Sequence, residues 1–110
     1  MTAPFVTTLR ARRATIRLAP EGVQVVTIRV ELPEVWDVVR IVAAPTESVL
    51  AVKLAALRAL YPEAGGEYHT DFVVKLRGWE ILDEAASLAD AGVVDGSILL
   101  LTSRRRRPVR

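Results

Sequence analysis

The sequence predicts an α+β fold, a mixed four- to five-stranded sheet packed on one main helix. Three observations carry this reading. Apolar and polar residues alternate in paired segments, 26–43 and 72–82; one stretch, 49–60, is built almost wholly from helix formers; and Asp95-Gly96 launches a last alternating segment. A length of 110 residues with 51% apolar side chains fits one domain, large enough to hold a core without staples. Cysteine is absent, which excludes a disulfide scaffold and a thiolate zinc site.

Taken in order, Val26, Ile28, Val30 and Leu32 alternate with Thr27, Arg29 and Glu31, the period of two of a half-buried strand. Pro33 cannot donate to a ladder and marks the turn before a second strand, in which Val39, Ile41 and Ala43 alternate with Val38, Arg40 and Val42. The two make a hairpin. Thr46 and Ser48 are both N-cap candidates for a helix over 49–60, which Tyr61 and Pro62 stop. A polar loop is expected over 63–70. A second hairpin follows, with a strand over 72–77, a turn at Gly78 and a short strand over 80–82. Residues 83–94 hold a short helical or turn stretch around Leu88, and 97–103 is the last strand.

The net charge of +2 is unevenly distributed. Residues 1–22 carry +3, residues 23–103 carry −6 and residues 104–110 carry +5. The expected organisation is therefore a basic N-terminal arm (1–22), an acidic domain (23–103) and an arginine-rich tail (104–110). In the arm, Ala14, Ile16 and Leu18 alternate with Thr15 and Arg17, as an additional strand would. No apolar run suits a signal peptide, and the most apolar segment, 49–60, contains Lys53 and Arg58 and is far shorter than a membrane span. A cytoplasmic protein without a membrane span is expected.

The order of elements, the Ser48-Val49-x-x-Val52-Lys53 helix start and the run from Ser87 through Asp95-Gly96 to Leu101 resemble the ubiquitin-like β-grasp. The likeness covers about residues 24–103. Within that superfamily the short 88–96 linker and the lack of a terminal glycine pair are most similar to the bacterial YukD/EsaB group, which implies an accessory role in type VII secretion. A chain ending Arg104-Arg105-Arg106-Arg107-Pro108-Val109-Arg110 is not expected to act as a protein modifier or sulfur carrier, because that chemistry needs Gly-Gly at the carboxylate. The resemblance sets ubiquitin's central isoleucine at Lys75 and its last-strand valine at Thr102, so ubiquitin's partners are not expected here. It also implies that Lys53 pairs with a carboxylate, for which Asp83 is the candidate; Lys53→Met is then expected to be neutral or stabilising.

Chemistry-bearing constellations are sparse. His69, the single histidine, is expected to be an exposed loop residue, Asp83-Glu84 are adjacent carboxylates on a turn, and Gly65-Gly66 lacks the rest of a phosphate loop. With no nucleophile, base and oxyanion set, no enzyme activity, metal or cofactor is expected. Trp36 and Trp79 fall at hairpin turns, where aromatics are expected to clamp the turn or shield a core edge.

The informative oddity is apolar residues on the strand positions that should face water. If Val39, Ile41, Val74, Leu76, Leu99 and Leu101 face the helix, then Val38, Val42, Val73, Ile98 and Leu100 face outward together with Arg40, Lys75 and Arg77. Such a patch, centred on Val73, Lys75 and Leu100, marks either a surface covered by the N-terminal arm or an interface for another protein or a second copy. The expected function is a non-catalytic protein-interaction module, an adaptor or regulator. The alternative is a nucleic-acid or ribonucleoprotein accessory, in which Arg104, Arg105, Arg106, Arg107 and Arg110 contact phosphates or another anionic surface.

Overall fold

Alternation in the two halves of the chain resolves into one sheet in a computed structural model that describes residues 15–62 and 66–103. The strands are β1 (Thr15–Arg17), β2 (Val26–Leu32), β3 (Asp37–Ala43), β4 (Phe72–Leu76), β5 (Trp79–Glu80) and β6 (Ile98–Ser103), with helix α1 (Val49–Leu60) after β3. Short 3₁₀ segments occupy Pro33–Val35 and Gly66–Asp71. The sheet order is β1-β3-β2-β6-β4-β5. Its central pair, β2 and β6, is parallel, with Val30 opposite Leu99, while the β2–β3 and β4–β6 pairs are antiparallel.

Strand periodicity sets the two faces. In β2 the residues Val26, Ile28, Val30 and Leu32 are buried and the intervening ones are not. The same phase in β3, β4 and β6 turns Val39, Ile41, Val74, Leu99 and Leu101 toward Val49, Val52, Ala56 and Leu57 of α1. Each fully buried aliphatic of this set contributes about 1.5–3 kcal/mol relative to exposure in water. Leu88, fully buried, and Val93 close the core from the 83–94 segment.

Ser48, not Thr46, caps α1: its Oγ accepts the Ala51 N–H at 3.0 Å. The helix stops at Tyr61, which leaves the helical conformation (φ −144°, ψ 60°) before Pro62, and whose ring meets Phe72 edge-on at 6.2 Å between centroids. Strand β1 lies parallel to β3, Thr15 opposite Arg40 and Arg17 opposite Val42, and Ile16 and Leu18 pack against the core. The sheet thus has six strands, β1 and the two-residue β5 forming its edges.

Several expectations change. The second hairpin closes through Arg77-Gly78 alone, with Trp79 opposite Leu76, so β5 is Trp79–Glu80 and not 80–82. Both turn residues have positive φ, 53° and 86°, the geometry a tight two-residue hairpin requires. Of the helical or turn stretch expected over 83–94 the structure takes the turns, and the expected 63–70 loop becomes a 3₁₀ helix from Gly66 that leaves His69 half-buried. Neither tryptophan shields the core: Trp36 is 88% and Trp79 79% exposed.

Lys53 does pair with a carboxylate, but with Glu84. Its Nζ donates to both Oε1 and Oε2 at 2.9 Å. The backbone decides the partner: the Glu84 carbonyl accepts the Leu50 N–H at 2.8 Å and holds this residue against α1. Asp83 turns away, its Oδ1 accepting the Ala85 N–H at 3.2 Å.

Candidate functional site

Pairing register assigns the outer sheet face residue by residue. Across the middle of the sheet, Val38 lies opposite Glu31, Glu31 opposite Leu100, Leu100 opposite Lys75 and Lys75 opposite Glu80. One row nearer the Asp95-Gly96 turn, Arg40 lies opposite Arg29 and Arg29 opposite Ile98. Apolar side chains therefore gather over β6, with charges of both signs beside them.

A loop builds the rim of this surface. Asp95 Oδ1 accepts the Thr27 N–H at 2.8 Å, and the Gly96 N–H donates to the Thr27 carbonyl at 2.8 Å. Gly96 has φ 90°, a conformation that a side chain would strain. Ser97 locks the turn, its Oγ accepting the Val94 N–H at 2.9 Å while its own N–H donates to the Val94 carbonyl at 3.0 Å. The loop is thereby clamped to β2, and Val94 is held 59% exposed beside Ile98, 50% exposed. Together with Leu100, Glu31, Lys75 and the Arg77-Gly78 turn they enclose a groove of about 540 Å³. That volume lies within the range of ligand or side-chain pockets, about 300–1,000 Å³.

The sequence-derived surface meets this groove in part. Lys75, Arg77, Ile98 and Leu100 line it. Val38 is half-buried on the same face across Glu31, and Val42 lies farther off opposite Thr27. Val73, placed at the centre by the sequence, is only 7% exposed beside Thr102 toward the other end of the sheet, so the centre moves to Leu100, Ile98 and Val94. Val94 and Glu31 were missed. Val94 belongs to a turn, where alternation says nothing of direction, and Glu31 joins only through the β2–β6 register. The tail residues Arg104, Arg105, Arg106, Arg107 and Arg110 lie outside the described residues.

Among the described residues no group of three or more His, Cys, Asp or Glu is placed to hold a metal ion, and no helix is long and apolar enough to cross a membrane. What the groove offers chemically, among the described residues, is an apolar floor with two carboxylates, Glu31 and the turn's Asp95, and two cations, Lys75 and Arg77, at its margin.

The overall fold is shared with solved structures. The C-terminal ubiquitin-like domain of mouse tubulin-specific chaperone E superposes with a TM-score of 0.60, at 14% identity over 84% of this chain and 98% of that one. A ubiquitin-like domain from Arabidopsis thaliana gives 0.59, at 14% identity over 84% and 92%. The ubiquitin of Caldiarchaeum subterraneum gives 0.55, at 18% identity over 78% and 98%. No family model matches the chain, and no curated protein matches its sequence. The fold is a ubiquitin-like β-grasp, α+β, with one main helix on a mixed six-stranded sheet.

Proposed function

We propose that the chain is a non-catalytic protein-interaction module, an adaptor or regulator, which holds a partner protein in the groove on its outer sheet face. The observation that carries the reading is the exposure of Val94 and Ile98 on a loop and strand fixed by backbone hydrogen bonds. Neither side chain belongs to the core. Apolar groups held rigidly in water, rimmed by charge, gain free energy only when another surface covers them, and a fixed scaffold lowers the ordering cost of that event. The rim sets the partner chemistry. A segment with an aliphatic or aromatic anchor fits over Leu100, with an acidic residue toward Lys75 and Arg77 and a basic one toward Glu31.

A role as accessory to a bacterial secretion machine is the finer form of this proposal, supported by the short 88–96 linker, which is similar to that of the YukD/EsaB group. A nucleic-acid accessory is the second reading, supported by the four consecutive arginines at 104–107. Affinity capture from the native cell tests the main reading: Leu100→Asp is expected to lose the proteins that the parent chain captures while melting as a folded domain. Unaltered capture overturns the groove assignment. RNA or DNA binding that falls steeply with salt and disappears when the tail arginines are replaced favours the second reading instead.

A further inference from the structure

A second groove lies on the helix side of the sheet at the opposite margin from β1. It holds about 550 Å³ between β5 and the 83–91 turns. Leu76, Ile81 and Ala91 make its apolar wall, and Trp79, Asp83 and Asp90 line it together with Arg77 and with Glu80, whose register opposite Lys75 turns its side chain to the outer face. Trp79 is 79% exposed, and Asp83 and Asp90 are exposed as well. An aromatic face beside carboxylates suits a guanidinium, which stacks on the ring while its N–H groups donate to the acids.

The same chain carries five arginines in residues 104–110. We propose that this arginine-rich tail docks intramolecularly in the Trp79 groove. Position and length fit. The described chain ends at Ser103 opposite Phe72, while the groove begins at the other end of β4, beside Leu76. Four residue rises along β4 and two strand spacings from β6 to β5 set a diagonal of about 17 Å. Seven extended residues span up to about 23 Å. Folded back along β4, about five extended residues cover that diagonal, which puts Arg110, and Arg107 through the length of its side chain, within reach of the ring and the carboxylates. A groove net negative by its lining side chains and a tail of +5 are complementary, and the tether supplies a high local concentration that a separate peptide lacks. Docking leaves the Val94–Ile98 groove on the other face of the sheet open.

Tryptophan fluorescence tests this, because the chain has two tryptophans and each is separable. In the full-length Trp36→Phe variant, acrylamide is expected to quench Trp79 at most half as strongly as in the same chain carrying Ser at 104, 105, 106 and 107. That protection should vanish in 1 M salt and with Asp83→Asn plus Asp90→Asn, and should not change on tenfold dilution. Equal quenching with and without the tail arginines overturns the proposal. Protection that grows with protein concentration overturns it in favour of a second copy's tail. In the Trp79→Phe chain, tail-dependent protection of Trp36 in place of Trp79 overturns it as well.

Discussion

Lys53 carries its ammonium into the core at 2% exposure, and Glu84 meets it with both carboxylate oxygens. Desolvation of such a pair consumes much of its attraction. Lys53→Met combined with Glu84→Leu is therefore predicted to leave stability in urea unchanged or raised by about 1 kcal/mol. Glu84→Leu alone strands the buried cation and is predicted to cost about 3 kcal/mol. Lys53→Met alone falls between them, since Glu84, with 19% of its side chain exposed, regains water more easily. A double variant as unstable as Glu84→Leu would show that the pair is worth more than its burial costs. That Lys53 pairs with a carboxylate was implied by the ubiquitin-like resemblance; which of two adjacent acids serves was not legible, because it depends on the Leu50–Glu84 backbone contact. At the β4–β5 turn, Arg77 holds φ 53° where asparagine is better suited. Arg77→Asn is predicted to stabilise the fold by about 1 kcal/mol, read from the denaturation midpoint.

At the scale of elements, α1 depends on its cap. Ser48→Ala removes the acceptor of the Ala51 N–H and is predicted to cost about 1 kcal/mol. Strand β1 is short, but the Leu18 N–H donates to the Val42 carbonyl at 2.8 Å and Ile16 packs on the core. Ile16→Asp is predicted to cost about 1–2 kcal/mol and, by loosening β1, to open the β3 edge to pairing with other chains. Thermal melts and light scattering check both halves; a monomer of unchanged stability would contradict the role given to β1. Elements with five or more residues of one period were legible, as in β2, β3, α1 and the core phase of β4. Strand β5 was displaced because two residues show no period and its position follows from the Arg77-Gly78 turn. The 83–94 segment has no period, yet it delivers Leu88 and Val93 to the core through hydrogen bonds with the start of α1 and the residues before it, Val49 N–H to the Ala86 carbonyl at 3.0 Å and Leu88 N–H to the Glu47 carbonyl at 2.8 Å.

Over the whole molecule, the sheet divides two kinds of surface. The helix face is packed by α1 and, toward β5, left as the groove lined by Trp79; among the described residues no helix lies on the outer face, which gathers its apolar side chains over β6. An outward apolar face was legible from the doubled apolar pattern of β4 and β6. Its centre was not, because strand order and register put Glu31 and Val94 beside Leu100 and leave Val73 buried near the other end. Trp36, 88% exposed with φ 52°, sits at that other end, after the Pro33–Val35 turn, and serves as a control surface. The most direct measurement is affinity capture from native cells with the parent chain, Ile98→Asp and Trp36→Ala, each verified as folded by its melt. Ile98→Asp is predicted to recover the bound proteins at least about tenfold less well, the scale of a lost interface anchor, while Trp36→Ala recovers them as the parent does. Equal recovery by Ile98→Asp and the parent would contradict the assignment of partner binding to the outer groove.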